Sequence, residues 1–199
     1  MALKRVIITI PAKSYVARID ADKRQIETAV AGVSLYTVAS VTNSEVVLTS
    51  ALNVIAAEMP YLIYNDNDEE KTFSIVVSTG DADDVTVAAE FQGTLVAQEM
   101  PGSGNGTDYY VLNGKNFVWV KDAGTIGAHK CWLAISSNGA APVRSLNFVF
   151  EDGDATGISS IDNGQWTIDN EGIYDLSGRR VAKPTKGLYI VNGKKIAVK

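Results

Sequence analysis

Short runs of β-branched and aromatic residues, each cut off by Gly, Asn, Asp or Pro, recur along the first 150 positions of this chain. They read KRVIITI, SYVARI, EVVLTS, TFSIVVS, DVTVAAEF, DYYVL, NFVWV, CWLAI and SLNFVF. Side chains branched at Cβ suit a pleated, half-buried surface, and the punctuating residues supply the turns. The pattern predicts an all-β fold, a β-sandwich or partly open β-barrel over residues 1–150. Several runs are apolar on both faces, as at Phe117, Val118, Trp119 and Val120. Such strands suit a two-layer core in which further residues lie under loops or against a neighbouring module. Helical patterning is confined to ADKRQIETAV, Ala21 to Val30, where one or two turns after an Asp20 N-cap are expected.

The charge distribution divides the chain. Residues 1–173 carry 11 Lys and Arg against 22 Asp and Glu, whereas residues 174–199 carry seven basic residues against one Asp. A polar stretch, EDGDATGISSIDNGQ, precedes the switch, so residues 151–171 are expected to be a connector and residues 172–199 a small C-terminal module. Within that module IYDLSGRRV predicts a hairpin about Ser177 and Gly178, and GLYIVNGKKIAVK a second about Asn192-Gly193. The second turn sets Val191 opposite Lys194 and Tyr189 opposite Ile196. So small a module cannot bury enough surface alone, and it is expected to pack on the larger domain. YVLNGKNFVWVK, Tyr110 to Lys121, echoes this hairpin, but two generic hairpins do not make a repeat protein.

Composition excludes several function classes. With 46% apolar residues the chain is a folded protein rather than a disordered one. Its single cysteine, Cys131, forms no intrachain disulfide and no thiolate metal cluster, and its place in HKCWLAI predicts a buried small hydrophobe. MALKRVIITIPAKSY is too short and too polar for a signal-peptide core, and no stretch has the length of a membrane-spanning helix. Nucleic-acid recognition is not expected of an acidic chain whose basic tail offers only Tyr174 and Tyr189 as aromatics. No glycine-rich phosphate loop or dinucleotide fingerprint occurs, and no cofactor is expected.

Catalytic chemistry has few footholds. His129 is the only histidine, which excludes a histidine-rich zinc site. In a strand it would share a face with Cys131, but a thiol in KCWLAI reads as buried rather than nucleophilic. Carboxylates cluster at Asp66, Asp68, Glu69 and Glu70, at Asp81, Asp83 and Asp84, and at Glu151, Asp152 and Asp154. Calcium takes about six or more oxygen ligands, and these clusters lack the spacing of an EF-hand loop, so solvated turn carboxylates and no metal site are expected. Two carboxylates across a cleft would suffice for glycoside hydrolysis, though short loops build such a cleft poorly. Tyr61, Tyr64, Trp119, Trp132 and Trp166 are the candidate ligand-facing aromatics for a carbohydrate platform. The bland alternative makes them core or cross-strand partners. Asn105 in NGTD is a formal glycosylation acceptor.

GIYDLSGRRVAKPTKGLYIVNGKKIAVK, Gly172 to Lys199, resembles the C-terminal module of many secreted or cell-surface proteins of Bacteroidetes, including leucine-rich-repeat adhesin-like and glycan-associated proteins. The shared frame is a YDLxGRRV strand and turn followed by a KGLYIxNGKK hairpin. It also resembles the sorting modules that direct export or anchoring in some of these bacteria. AEMPYLIY and DYYVLNGKNFVWVKDAGTIGAHKCWLAI resemble the β domain that often precedes such tails. The resemblance implies an extracellular or cell-surface location and a non-enzymatic structural or adhesion-type module. Its partner would be a glycan or a host-surface protein. A carbohydrate-binding module is the alternative expectation, and a small hydrolase using paired carboxylates the third.

Overall fold

The computed structural model describes residues 5–42, 44–104, 106–137 and 141–151, together with the strands Ile173–Asp175, Gly187–Val191 and Lys194–Val198. Residues 152–171 of the expected connector, with Asp152, Asp154 and Trp166, lie outside the described residues, as do Asn105, the Ser177-Gly178 turn and the Asn192-Gly193 turn. The chain divides into two compact units, Met1–Gly157 and Ile158–Lys199. All regular structure among the described residues is β, as the runs of β-branched residues predict.

The first unit contains β1 (Val6–Ile10), β2 (Ser14–Arg18), β3 (Arg24–Ile26), β4 (Val33–Tyr36), β5 (Val38–Val41), β6 (Glu45–Leu48), β7 (Tyr61–Asn65) and β8 (Lys71–Val77). It continues with β9 (Phe91–Thr94), β10 (Gln98–Met100), β11 (Thr107–Asn113), β12 (Asn116–Val120), β13 (Gly124–Ile126), β14 (Lys130–Ser136) and β15 (Ser145–Phe150). The helix expected after Asp20 is absent. Arg24–Ile26 is instead a strand, because β8 pairs with one edge and Ile55 exchanges both backbone bonds with Arg24 on the other. Thin apolar spacing gave a helix nothing to bury, so tertiary pairing decides.

Three layers result. Sheet β1–β8–β3 covers one face of sheet β2–β7–β4, and the seven-stranded sheet β5–β6–β15–β12–β11–β14–β9 covers the other. Strand β7 explains the middle layer. In YLIYN, Tyr61 and Ile63 enter a core with Ile10, Leu35, Ile55 and Ile75, while Leu62 enters a second core with Val38, Leu48, Phe117 and Leu133. Successive strand residues face opposite sides, so a run apolar at every position marks a strand buried twice. The all-β sandwich or barrel expected from the sequence is thus present, with sheet β1–β8–β3 as an added layer.

The seven-stranded sheet curls into a nearly closed barrel. Ala88 bridges its seam, donating from its backbone N–H to the Val38 carbonyl and accepting from the Phe91 N–H of β9. Among the described pairs only β6 with β15 is parallel. Glycine is required at two points by different physics. Gly114 turns the β11–β12 hairpin with φ +64°, and a Cβ on Gly93 would stand 3.0 Å from Ile19 and 3.1 Å from Cys131.

In the second unit, β16 (Ile173–Asp175), β17 (Gly187–Val191) and β18 (Lys194–Val198) form one antiparallel sheet in that order. Val191 pairs with Lys194 and Tyr189 with Ile196, the register expected of an Asn192-Gly193 turn. Strand β16 pairs with Tyr189–Val191 of β17.

Candidate functional site

The described residues contain one buried ionic cluster, and it sits where the three layers meet. Asp20, 1% exposed, follows β2 in the middle layer. Arg18 grips its carboxylate with two bonds, Nε to Oδ2 at 2.7 Å and an η-nitrogen to Oδ1 at 2.8 Å. The fork of a guanidinium matches a carboxylate in this way. Tyr61 of β7 donates its hydroxyl to Oδ2 at 2.7 Å. Arg24 arrives from the outer sheet, 3.6 Å from Oδ1. His129 arrives from the turn before β14 of the seven-stranded sheet, its Nδ1 also 3.6 Å from Oδ1.

Burial alone would raise the Asp20 pKa, but the bonds from Arg18 and Tyr61 and the charges of both arginines outweigh it. The net shift is below the ordinary carboxylate value. Burial also opposes the Arg18 charge, yet the bond to Asp20 prevails and raises its pKa. Tyr61 is pushed up, first by burial and then by the Asp20 charge. The carboxylate is thus ionised and enclosed by donors. Among the described residues three non-glycine positions have positive φ, and two of them, Glu58 at 58° and His129 at 59°, also converge here. The Glu58 N–H donates to the Asp20 carbonyl at 2.8 Å, and His129 Nδ1 lies 2.8 Å from the Ile19 carbonyl oxygen, so Nδ1 carries the proton and donates.

His129 and Cys131 do not form a nucleophilic pair. His129 lies in the turn before β14, not on a strand face shared with Cys131. Cys131 is buried, and burial pushes its thiol up to about 12, so it stays protonated and unreactive.

The candidate aromatics are dispersed. Tyr61 is 0% exposed and Trp132 is buried under Met100 and Ile126, so neither presents a ring face to a ligand. Trp119 is half-buried, with its indole N–H donating to Asp108 Oδ1 at 3.0 Å. Tyr64 is half-buried, stacked on Tyr15 at 4.3 Å, and its hydroxyl donates to Asp66. Tyr36 and Phe150, which were not singled out by sequence, join Tyr64 in an aromatic cluster at the rim of the second core.

The acidic clusters mostly hold turns. Asp83 Oδ2 accepts the backbone N–H groups of Asn53 and Val54, while Asp66 and Asp68 flank the Lys13 ammonium. Among the described residues no three His, Cys, Asp or Glu side chains stand in position to hold a metal. One groove of about 320 Å³ does bring two carboxylates together. Asp84 and Glu151 line it with Thr49, Ser50 and Thr86. Sequence reading placed these two acids in separate clusters. Their meeting depends on β6 pairing with β15, which sets the Glu151 N–H on the Leu48 carbonyl.

Comparison with protein-family models, with curated proteins and with solved structures finds no match to this chain.

Proposed function

We propose that this chain is a non-enzymatic structural or adhesion-type module of a secreted or cell-surface bacterial protein. The observation that carries the reading is the Asp20 cluster. Its charges are spent on one another across three layers, with the carboxylate enclosed by donors from Arg18 and Tyr61 rather than directed at a cleft. A thiol held protonated up to about 12 suits an oxidising exterior, where a reactive cysteine would be a liability. The C-terminal strand frame that resembles Bacteroidetes surface proteins supports the same location. The test is a binding screen of the intact chain against host-matrix proteins and a glycan array. Binding to a matrix protein without chemical change of the bound partner is expected. Turnover of any arrayed glycan would overturn the reading.

Carbohydrate binding is the second reading, and the groove of Asp84, Glu151, Thr49, Ser50 and Thr86 favours it. Hydroxyl and carboxylate groups in a groove are suited to the hydroxyls of a sugar. An array signal that vanishes in the Asp84→Asn, Glu151→Gln double variant would favour this reading over the first.

A further inference from the structure

The sheets of the first unit have several edges, and all but one carry a device that stops another chain from pairing. On β2, Gly114 accepts the Tyr15 N–H at 2.7 Å. Ile55 pairs with Arg24 on β3, and Leu52 with Leu35 on β4. Strand β5 has a register shift between Val38 and Ser40 and an added bond from Ala88. Strand β9 is four residues long and contains Gly93, while β10 and β13 have three residues each. Natural proteins blunt sheet edges by such means.

Strand β1 has none of them along Val6–Thr9. Val6–Ile10, VIITI, is a five-residue edge in regular register with β8, without charge, proline or bulge. Among the described residues no backbone bond from another segment reaches Val6–Thr9; at the strand end Asn65 Nδ2 donates to the Ile10 carbonyl at 3.1 Å, next to Pro11. Its outward-facing Ile7 is 71% exposed, more than any other large apolar side chain described. Thr9, also exposed, bonds to the Thr72 hydroxyl beside it.

We propose that β1 is a self-association edge, pairing antiparallel with β1 of a second copy of this chain to make one continuous six-stranded sheet. The sequence of the strand selects a copy of itself as partner. Antiparallel pairing about Ile8 sets Ile7 opposite Thr9 twice, on the outer face, and Val6 opposite Ile10 twice. Cross-strand β-branched pairs of this type stabilise a sheet. The same register sets Arg5 opposite Pro11, so the cations flanking the strand do not face each other, and Arg5 is already paired to Glu27. A two-fold pairing also closes on itself, leaving no further edge of this kind to propagate.

The test uses the intact chain in sedimentation equilibrium across the micromolar to millimolar range, with amide exchange read in parallel. A monomer–dimer equilibrium is expected, with exchange of Val6–Ile10 slowing as the dimer fills. Ile7→Lys alters two pairs in each dimer and should weaken association about tenfold or more. Thr9→Lys, at an equally outward position, should act alike, and an unchanged melting temperature shows that each variant folds. A chain that remains monomeric to millimolar concentration overturns the proposal. So does a dimer that both lysine variants leave intact, or one that leaves β1 exchange unchanged.

Discussion

The two cores on either side of sheet β2–β7–β4 are built from different materials. The one beneath β1–β8–β3 is chiefly aliphatic, with Ile8, Ile10, Val33, Leu35, Leu52, Ile55, Ile63 and Ile75 around Phe73 and Tyr61. The one beneath the curled seven-stranded sheet is bound by rings. Tyr15 stacks on Tyr64 and meets Phe148, which meets Phe117, which meets Phe91. Short, regular strands pack well through β-branched side chains, whereas the broad interior of a nearly closed sheet requires larger groups to fill it. The middle sheet serves both, so neither core should melt without the other.

Deleting the centre of each core tests this most strongly. Phe117→Ala is expected to cost about 3–5 kcal/mol and Ile75→Ala about 2–5 kcal/mol, since both side chains are fully buried. Denaturant unfolding of each variant should remain one transition, seen alike by ring and backbone signals. Two separated transitions would divide the cores and break the comparison.

The Asp20 cluster joins both cores to the outer layers, and its removal comes next. Asp20→Ala leaves Arg18 and Arg24 without their shared buried partner, a change expected to cost about 3–5 kcal/mol. Tyr61→Phe removes one bond to the charged oxygen and keeps the ring, for about 1.5–3 kcal/mol. If Tyr61→Phe costs as much as Asp20→Ala, the hydroxyl rather than the ion pair holds the junction.

The same groups set opposite pH limits. The Asp20 pKa is lowered in the folded state, so its contribution is present above the unfolded value of about 3.9 and is lost as pH falls through the folded value. The Cys131 thiol is raised from 9.0 to about 12, so the folded protein holds that proton longer than the unfolded chain does. Stability should therefore fall between pH 9.0 and about 12, by up to about 1.4 kcal/mol per pH unit from this group. Cys131→Val should flatten part of that alkaline slope and leave the acid limb alone. Urea melts across pH give both limbs, and an unchanged alkaline slope would remove the thiol from the account.

Two hairpins show how much of this was legible in the sequence. Both contain Asn-Gly-Lys, yet their strands pair in different registers about it. In the second unit Val191 pairs with Lys194, the register that the sequence predicts. In the first, Asn113 pairs with Asn116, and Gly114-Lys115 is the loop. The local signal was the same. The difference lies in long-range partners, because Asn116 donates to Ser145 Oγ and Asn147 Oδ1 across the sheet and the Gly114 carbonyl accepts from Tyr15. Strand identity was legible because it follows from residue type and alternation. The third layer is written in the unbroken apolar run of YLIYN, whose residues enter both cores. The Asp20 cluster was not legible, since Tyr61 and His129 lie far from Asp20 in sequence. Only RIDADKR, with its charges flanking a strand end, hinted at it.

The smallest predicted effect isolates the least legible member of that cluster. His129 holds φ at 59°, a conformation that costs a side-chain-bearing residue roughly 1–2 kcal/mol, and in return donates to the Ile19 carbonyl. Alanine keeps the strained conformation and loses the bond, so His129→Ala should destabilise by about 0.5–1.5 kcal/mol. Glycine loses the bond too but adopts positive φ freely, so His129→Gly should melt higher than His129→Ala. The imidazole remains 40% exposed and only 3.6 Å from Asp20, so the ring is tied to the junction without being needed to neutralise it. Both variants should bind whatever partner the intact chain binds. A folded His129→Gly protein that has lost that binding would move His129 from the scaffold to the interface.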